Sequence, residues 1–422
     1  MYAQNSTKTV DNASQSVKLL VFRFVGKGGV AVRLLMNTRY AVIHASFWGA
    51  YGSLWAFIAL VLEYNGFASV QVGVVTSCAT LLSVFLSPAV SSFLDARPGL
   101  ENRHGAMALL TLAAALCLLV WLVPLPRPFV LGACFALIGA FLSSTPPFQN
   151  AMAMDANRCG IPVVYGFCRG VGSVSYAAAV LLLGFVLERH APTLLLPVFA
   201  ALTACGLLAM SGFRLPERPD EAADRPAEHR SIAAVLRSHP RFALTLLGCM
   251  FFFLTHTISN TYMNALVGKA GGTASAVGTS LAISAVLELP AMTLVSRLQK
   301  RFSPGFFLRF AAGAEVVKFL IFYLARSMPL IYLGHCMQFF QFAVYAPATV
   351  YYVAAALPER DQLKGQSLIY VAGSGLGGAL GNLLGGRLLD RSGIQAALLL
   401  GTVSAAASLL TFCLSTREDS RG

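Results

Sequence analysis

Charge is what this sequence lacks. Only 12% of its 422 residues are charged, where a soluble domain carries about 25%. That excludes an ordinary globular chain with a solvated surface. Metal-binding and redox patterns are missing too. No CxxC occurs, and no Cys/His pair has metal spacing. The nine cysteines are scattered singly, most inside apolar runs, as at Cys117, Cys134, Cys205, Cys249 and Cys413. No metal or other cofactor is expected. HExxH and paired intramembrane aspartates are also absent, which argues against a membrane-embedded enzyme.

What fills the chain is apolar. Hydrophobic residues make up 56%, and the mean hydropathy is +0.68. Twelve apolar runs can be drawn, at 40–62, 70–94, 105–124, 129–152, 163–187, 192–213, 242–268, 276–296, 305–325, 329–356, 365–388 and 394–415. A helix needs roughly 20 apolar residues to cross a ~30 Å hydrocarbon core. Lipid offers no partner to backbone groups, so these runs are expected to be helices. The expectation is an all-α membrane protein of twelve transmembrane helices in two six-helix bundles.

One long polar stretch, 214–241, divides the runs six and six. The organisation expected is a basic N-terminal segment (1–39), a first bundle (40–213), a linker (214–241), a second bundle (242–415) and a tail (416–422). Met36 looks like a natural start, so residues 1–35 are expected to be dispensable. The net charge of +13 could suggest nucleic acid, but its placement does not. The basic residues cluster in alternate loops, and the intervening loops hold only Arg127, Arg189, Lys269, Arg326, Arg387 and Arg391. This is the positive-inside pattern. It predicts cytoplasmic termini, a bacterial inner membrane and a lipid rather than nucleic-acid environment.

Ionisable residues at mid-bilayer are costly and are functional candidates by default. Glu288 lies near the middle of the eighth run, followed by Pro290. Glu315 and Lys318 are mid-span in the ninth, three apart, and can pair. Arg169 lies inside the fifth with no acidic residue at helical spacing. Polar stripes accompany them: His335, Gln338 and Gln341 in the tenth run, His256, Asn260 and Asn264 in the seventh, and His44, Trp48, Tyr51 and Trp55 in the first. Asn150 closes the fourth run after Pro146-Pro147. Any single one can simply join helices; their convergence points to a solute pathway. Gly373, Gly377, Gly381 and Gly385 form a small-residue ridge for close helix packing.

The layout and two motifs, Tyr165-Gly-Phe-Cys-Arg169-Gly-Val-Gly172-Ser and Gly381-Asn-Leu-Leu-Gly-Gly-Arg-Leu-Leu-Asp390-Arg391, resemble the major facilitator superfamily, within it the lactose-permease-like branch. The resemblance covers about 38–415. It implies a proton-coupled symporter of oligosaccharides, nucleosides or aromatic acids, working as a monomer on a small-molecule substrate. It places the substrate-binding arginine on Arg169 and the eighth-helix glutamate on Glu288. The acidic partner of the arginine falls on Asn150, with Asp155 as a substitute one turn on. The ninth-helix basic residue falls on Lys318, and the tenth-helix Lys/His/Glu pattern on His335, Gln338 and Gln341. A glutamine thus replaces the proton-carrying carboxylate, which moves coupling to Glu288 or Glu315. Trp48, Trp55, His256, Asn260 and Gln338 are expected to contact substrate. Asp95 and Arg97, in a partly kept loop motif after the second helix, are expected to gate. Efflux of amphipathic compounds and a non-transporting sensor on the same fold stay open as alternatives.

Overall fold

A computed structural model of the chain describes residues 32–97, 99–123, 128–161, 163–215 and 232–416. Their regular structure is helical. The helices are α1 (Val32–Tyr64), α2 (Ser69–Asp95), α3 (Asn102–Leu122), α4 (Pro128–Asn157), α5 (Tyr165–Val186) and α6 (Pro192–Ser211). The second half holds α7 (Pro240–Thr261), α8 (Ala274–Leu298), α9 (Pro304–Leu324), α10 (Met328–Ala356), α11 (Lys364–Ser392) and α12 (Ile394–Ser415).

Among the described residues, eleven of these are long and apolar enough to cross a membrane. The other, α9, has the length, 21 residues. It falls short only because it carries Arg309, Glu315 and Lys318. The twelve-helix expectation therefore holds, with a chemically unusual ninth member. Helix α1 begins upstream of the expected residue 40. Its Arg39 is not tail: the guanidinium donates to the Gly212 carbonyl at the end of α6, an orphan acceptor at a helix C-terminus. Most of the expected basic segment, the linker over 216–231 and the tail over 417–422 lie outside the described residues. A short helix, Ile232–Ser238, leads into α7.

The two halves repeat one plan. Arg103 on α3 donates to Phe213 O beyond α6 (3.4 Å), and Arg309 on α9 donates to Thr416 O beyond α12 (3.1 Å). The halves meet through two matched crossings, α5 on α8 and α2 on α11. A β-carbon at Gly184 would meet Ala274 O at 2.8 Å, and one at Gly278 would collide with Val180 O. The other crossing repeats this: Gly386 faces Ser69 O and Gly73 faces Asn382 O, each too close for a side chain. Ser77 Oγ adds a hydrogen bond to Ala379 O (2.8 Å). Both crossings lie toward the same end of the bundle, and a cavity lies beneath them.

Regular helix fails mainly around that cavity. Helix α1 tightens to 3₁₀ over Trp55–Phe57, and α10 does so over Met337–Phe339. Helix α4 restarts at Pro146, and α11 widens to a π-helix over Val371–Gly377. Such local departures commonly mark functional sites.

The glycine ridge of α11 packs on α7. Gly377 and Gly381 face the Met250 and Leu254 carbonyl oxygens, with no room for a β-carbon. Gly377→Leu should destabilise the protein by about 3 kcal/mol, the upper range for overpacking. Gly313→Ala, inside α9 at a position with nothing within 4 Å, should instead leave stability level or raise it by up to about 1 kcal/mol, the helix preference of Ala over Gly. Thermal melting in detergent compares the two.

Candidate functional site

A cavity of about 460 Å³ lies between the halves, within the ~300–1,000 Å³ typical of small-molecule sites. Helix α1 supplies Trp48, Tyr51 and Trp55, and α5 supplies Arg169 and Tyr176. Across from them, α7 brings His256 and Asn260, α8 Glu288, and α10 Gln338. The breaks in α1 and α10 fall on Trp55 and Gln338, so they set where these side chains enter the cavity.

The tryptophans are seated by missing side chains. A β-carbon at Gly139 of α4 would collide with the Trp55 ring, and one at Gly172 of α5 would lie 2.6 Å from Trp48 Cδ1. The Trp48 face in turn holds Arg169, whose guanidinium carbon lies 4.0 Å from the ring centroid. This is a cation–π contact in a low-dielectric site. Arg169 Nη1 donates to Ser173 Oγ (3.0 Å). Among the described residues no carboxylate lies within ion-pair distance of Arg169. The indole N–H of Trp48 is buried without an acceptor, and Nδ1 of His256 also lacks a partner. His256 stacks on Phe342, ring centroids 4.5 Å apart.

The second half supplies a buried polar chain. Lys318 Nζ donates to Gln338 Oε1 (3.1 Å), and Gln338 Nε2 donates to Glu288 Oε1 (2.9 Å). A primary amide can accept from an ammonium at one end and donate to a carboxylate at the other. Lys318 is therefore linked to Glu288 through Gln338. The expected Glu315–Lys318 ion pair is not among the salt bridges of the described residues. Glu315 is fully buried with neither oxygen hydrogen-bonded. Gln341 is likewise buried, its amide without partners. His335 is buried beside Ser284, Nδ1 to Oγ 3.0 Å. Glu315, Lys318, His335 and Gln341 are thus not part of the cavity wall; Lys318 is bonded to it through Gln338 and His335 through Ser284.

Four expectations about the first half fare differently. Asn150 is exposed, accepts from the Tyr165 hydroxyl (3.0 Å), and is not part of the cavity wall. Its place beside Arg169 was what the family resemblance implied; here the residue follows the helix restart at Pro146 and its amide oxygen is taken by Tyr165. Asp155 does not replace it, accepting instead from Asn102 Nδ2 (2.7 Å). Arg97 lies over the Phe93 ring, 3.5 Å to its centroid. The side chain of Asp95 lies outside the described residues. Hydroxyls on the wall were missed: Thr76, Thr80 and Ser83 on α2. Thr76 and Thr80 bond carbonyls of their own helix, so they enter lipid cheaply and leave no charge signal.

A membrane bundle of two repeated halves with a polar cavity between them defines a solute transporter. The chain belongs to the MFS_1 like family, whose model matches residues 38–400. It is 26% identical over 400 residues to the maltose permease of Geobacillus stearothermophilus, covering 93% of this chain and 97% of that protein. It is 22% identical over 354 residues to the uncharacterized transporter YwbF of Bacillus subtilis, covering 83% of this chain and 86% of that one. The crystal structure of the nucleoside transporter NupG superposes with a TM-score of 0.73 at 16% identity, over 93% of this chain and 100% of that one. A bacterial homologue of the human drug peptide transporters PepT1 and PepT2 gives 0.68 at 13%, over 91% and 98%. The fold is thus the major facilitator fold, and the protein is an integral membrane transporter, not an enzyme.

Gln338→Leu strips Lys318 and Glu288 of their shared partner. Hydrogen bonds to charged groups contribute about 1.5–3 kcal/mol each. The variant should lose at least about 2 kcal/mol, read as a lower midpoint of thermal unfolding. An unchanged midpoint would show that the bridge holds nothing.

Proposed function

We propose that the protein takes up a small polyhydroxylated solute, of the oligosaccharide class, by proton-coupled alternating access. The observation that carries this reading is a single cavity walled from both halves: Arg169 with Trp48 and Trp55 on one side, Glu288 with Gln338 on the other. Aromatic faces beside hydroxyls and amides suit a sugar ring, with one apolar face and a hydrogen-bonding rim. The whole-length similarity to a maltose permease supports the same class.

With both termini in the cytoplasm of a bacterial inner membrane, the closed end faces outward. Closure of the opposite end would complete the cycle by rocking one half on the other. Substrate would then touch Arg169 and Glu288 together, so its binding is felt in both halves. Glu288 is the assigned proton carrier. It reaches the cavity directly, and its bond to Gln338 connects it to Lys318 and the buried group behind. Glu315 is the alternative carrier, shielded from substrate.

Purified protein in liposomes, with external pH followed, tests the reading. Adding a maltose-type oligosaccharide should alkalinise the medium, while nucleosides and aromatic acids should not. Uptake of labelled sugar with no proton movement would remove the coupling; response to another solute alone would replace the substrate class. Glu288→Gln should abolish accumulation driven by a pH gradient. Gradient-driven accumulation left intact in that variant and lost in Glu315→Gln would transfer the role to Glu315.

A further inference from the structure

The two crossings between the halves share a second feature. Four residues beyond Gly184, at the end of α5, stands Glu188; four beyond Gly386, near the end of α11, stands Asp390. Each carboxylate reaches the first turn of a helix in the other half. Asp390 Oδ1 accepts from Ser69 N (3.0 Å) and Oδ2 from Val70 N (2.6 Å), the first two residues of α2. Glu188 Oε1 accepts from the hydroxyl of Thr273 (2.7 Å), the residue preceding α8. The Ser275 hydroxyl lies beside this contact, 3.0 Å from Thr273 Oγ1. These hydroxyls, Ser275 first and then Thr273, hold the Glu188 carboxyl below the usual carboxylate range.

The residue at the N-cap of α2 is Ala68, which has no side-chain oxygen to offer. The N–H groups that open a helix need an acceptor, and here the acceptor belongs to the opposite half. The N-cap of α8 is Thr273, whose hydroxyl makes no cap bond to a backbone N–H; it lies 3.0 Å from Ser275 Oγ and donates to Glu188. The cap on α2 and the hydroxyl contact at the start of α8 exist only while the halves are together.

We propose that Glu188 and Asp390 are a matched pair of latches, positioning residues that hold the outer end of the transporter closed by accepting hydrogen bonds from the starts of α8 and α2 across the gap between the halves. When that end opens, each helix start loses its acceptor and each carboxylate its donors. The penalty falls on the open state and sets how often the cavity is offered to the outside. The proposal rests on the alternating-access reading, since a molecule that never opens here needs no latch.

The test measures the gap directly. Nitroxides are placed at His190→Cys, in the α5–α6 turn, and Ser327→Cys, in the α9–α10 turn, in a chain cleared of its native cysteines. Pulsed electron resonance reads the distance distribution in detergent and in lipid nanodiscs. The parent should show mainly the closed separation. Glu188→Ala or Asp390→Ala should raise the ratio of open to closed severalfold, in line with the loss of one helix cap, and the double variant more. Ala68→Asp gives α2 its own cap in both states. It should also raise the open fraction, while its melting temperature stays level or rises, an outcome that a merely structural role for Asp390 does not produce. Should Asp390→Ala fail to fold, Glu188→Ala and Ala68→Asp carry the test. Distributions unchanged in these variants overturn the latch. The readout needs no substrate and no knowledge of orientation. A failed sugar uptake assay therefore strikes the transport reading alone, and unchanged distances strike the latch alone.

Discussion

In hydrocarbon a bare N–H, C=O or charge has no partner except another part of the same chain. That constraint shapes this molecule at every level. It makes each apolar run a helix and confines the irregular turns of α1, α10 and α11 to the neighbourhood of an internal cavity. It also explains α9. A helix with an arginine, a glutamate and a lysine is tolerated because Arg309 is spent on the end of α12 and Lys318 on Gln338. Its remaining charged residue, Glu315, has no such outlet. An unpartnered carboxyl at the centre of a bundle is a standing cost, the kind of feature that persists where function requires it.

The same constraint decides what could be read in advance. Spans were legible because lipid imposes a length and a composition that no other environment demands. Arg169, Glu288 and Lys318 were legible because a mid-span charge has no bland explanation cheap enough to hide behind. The partners were not. Spacing along α9 put Glu315 beside Lys318, yet the 3₁₀ turn at Met337–Phe339 brings Gln338 to the lysine. Periodicity cannot anticipate a break that rotates one half of a helix against the other. Asn150 came from the family resemblance rather than from periodicity, and it lies off the cavity wall, bonded to the Tyr165 hydroxyl. Thr76 and Thr80 escaped notice because each already satisfies itself on its own helix. Glu188 and Asp390 sit near helix ends, where a carboxylate usually means only a solvated surface. Their meaning came from the helix starts they touch in the opposite half.

Symmetry and chemistry are distributed differently over the fold. What packs the two halves together is duplicated: glycine against carbonyl in both crossings, and an arginine on α3 and on α9 reaching the end of the sixth helix of its half. What lines the cavity is not duplicated. One half contributes a guanidinium held on an indole, with no carboxylate in ion-pair range. The other contributes an ammonium, an amide and a carboxylate in series, with a second carboxyl buried behind. A repeat that had kept only its packing could still rock between two arrangements, because the contacts broken at one end have counterparts in both halves. Rocking alone would equilibrate a solute and concentrate nothing. Under the proton-coupled reading, concentrating it requires a group whose state changes with the arrangement, and among the described residues the carboxylate on the cavity wall belongs to the second half. On the proposed reading the physical division is therefore between a symmetric seam along which the halves rock and an asymmetric polar chain that gives the movement a direction.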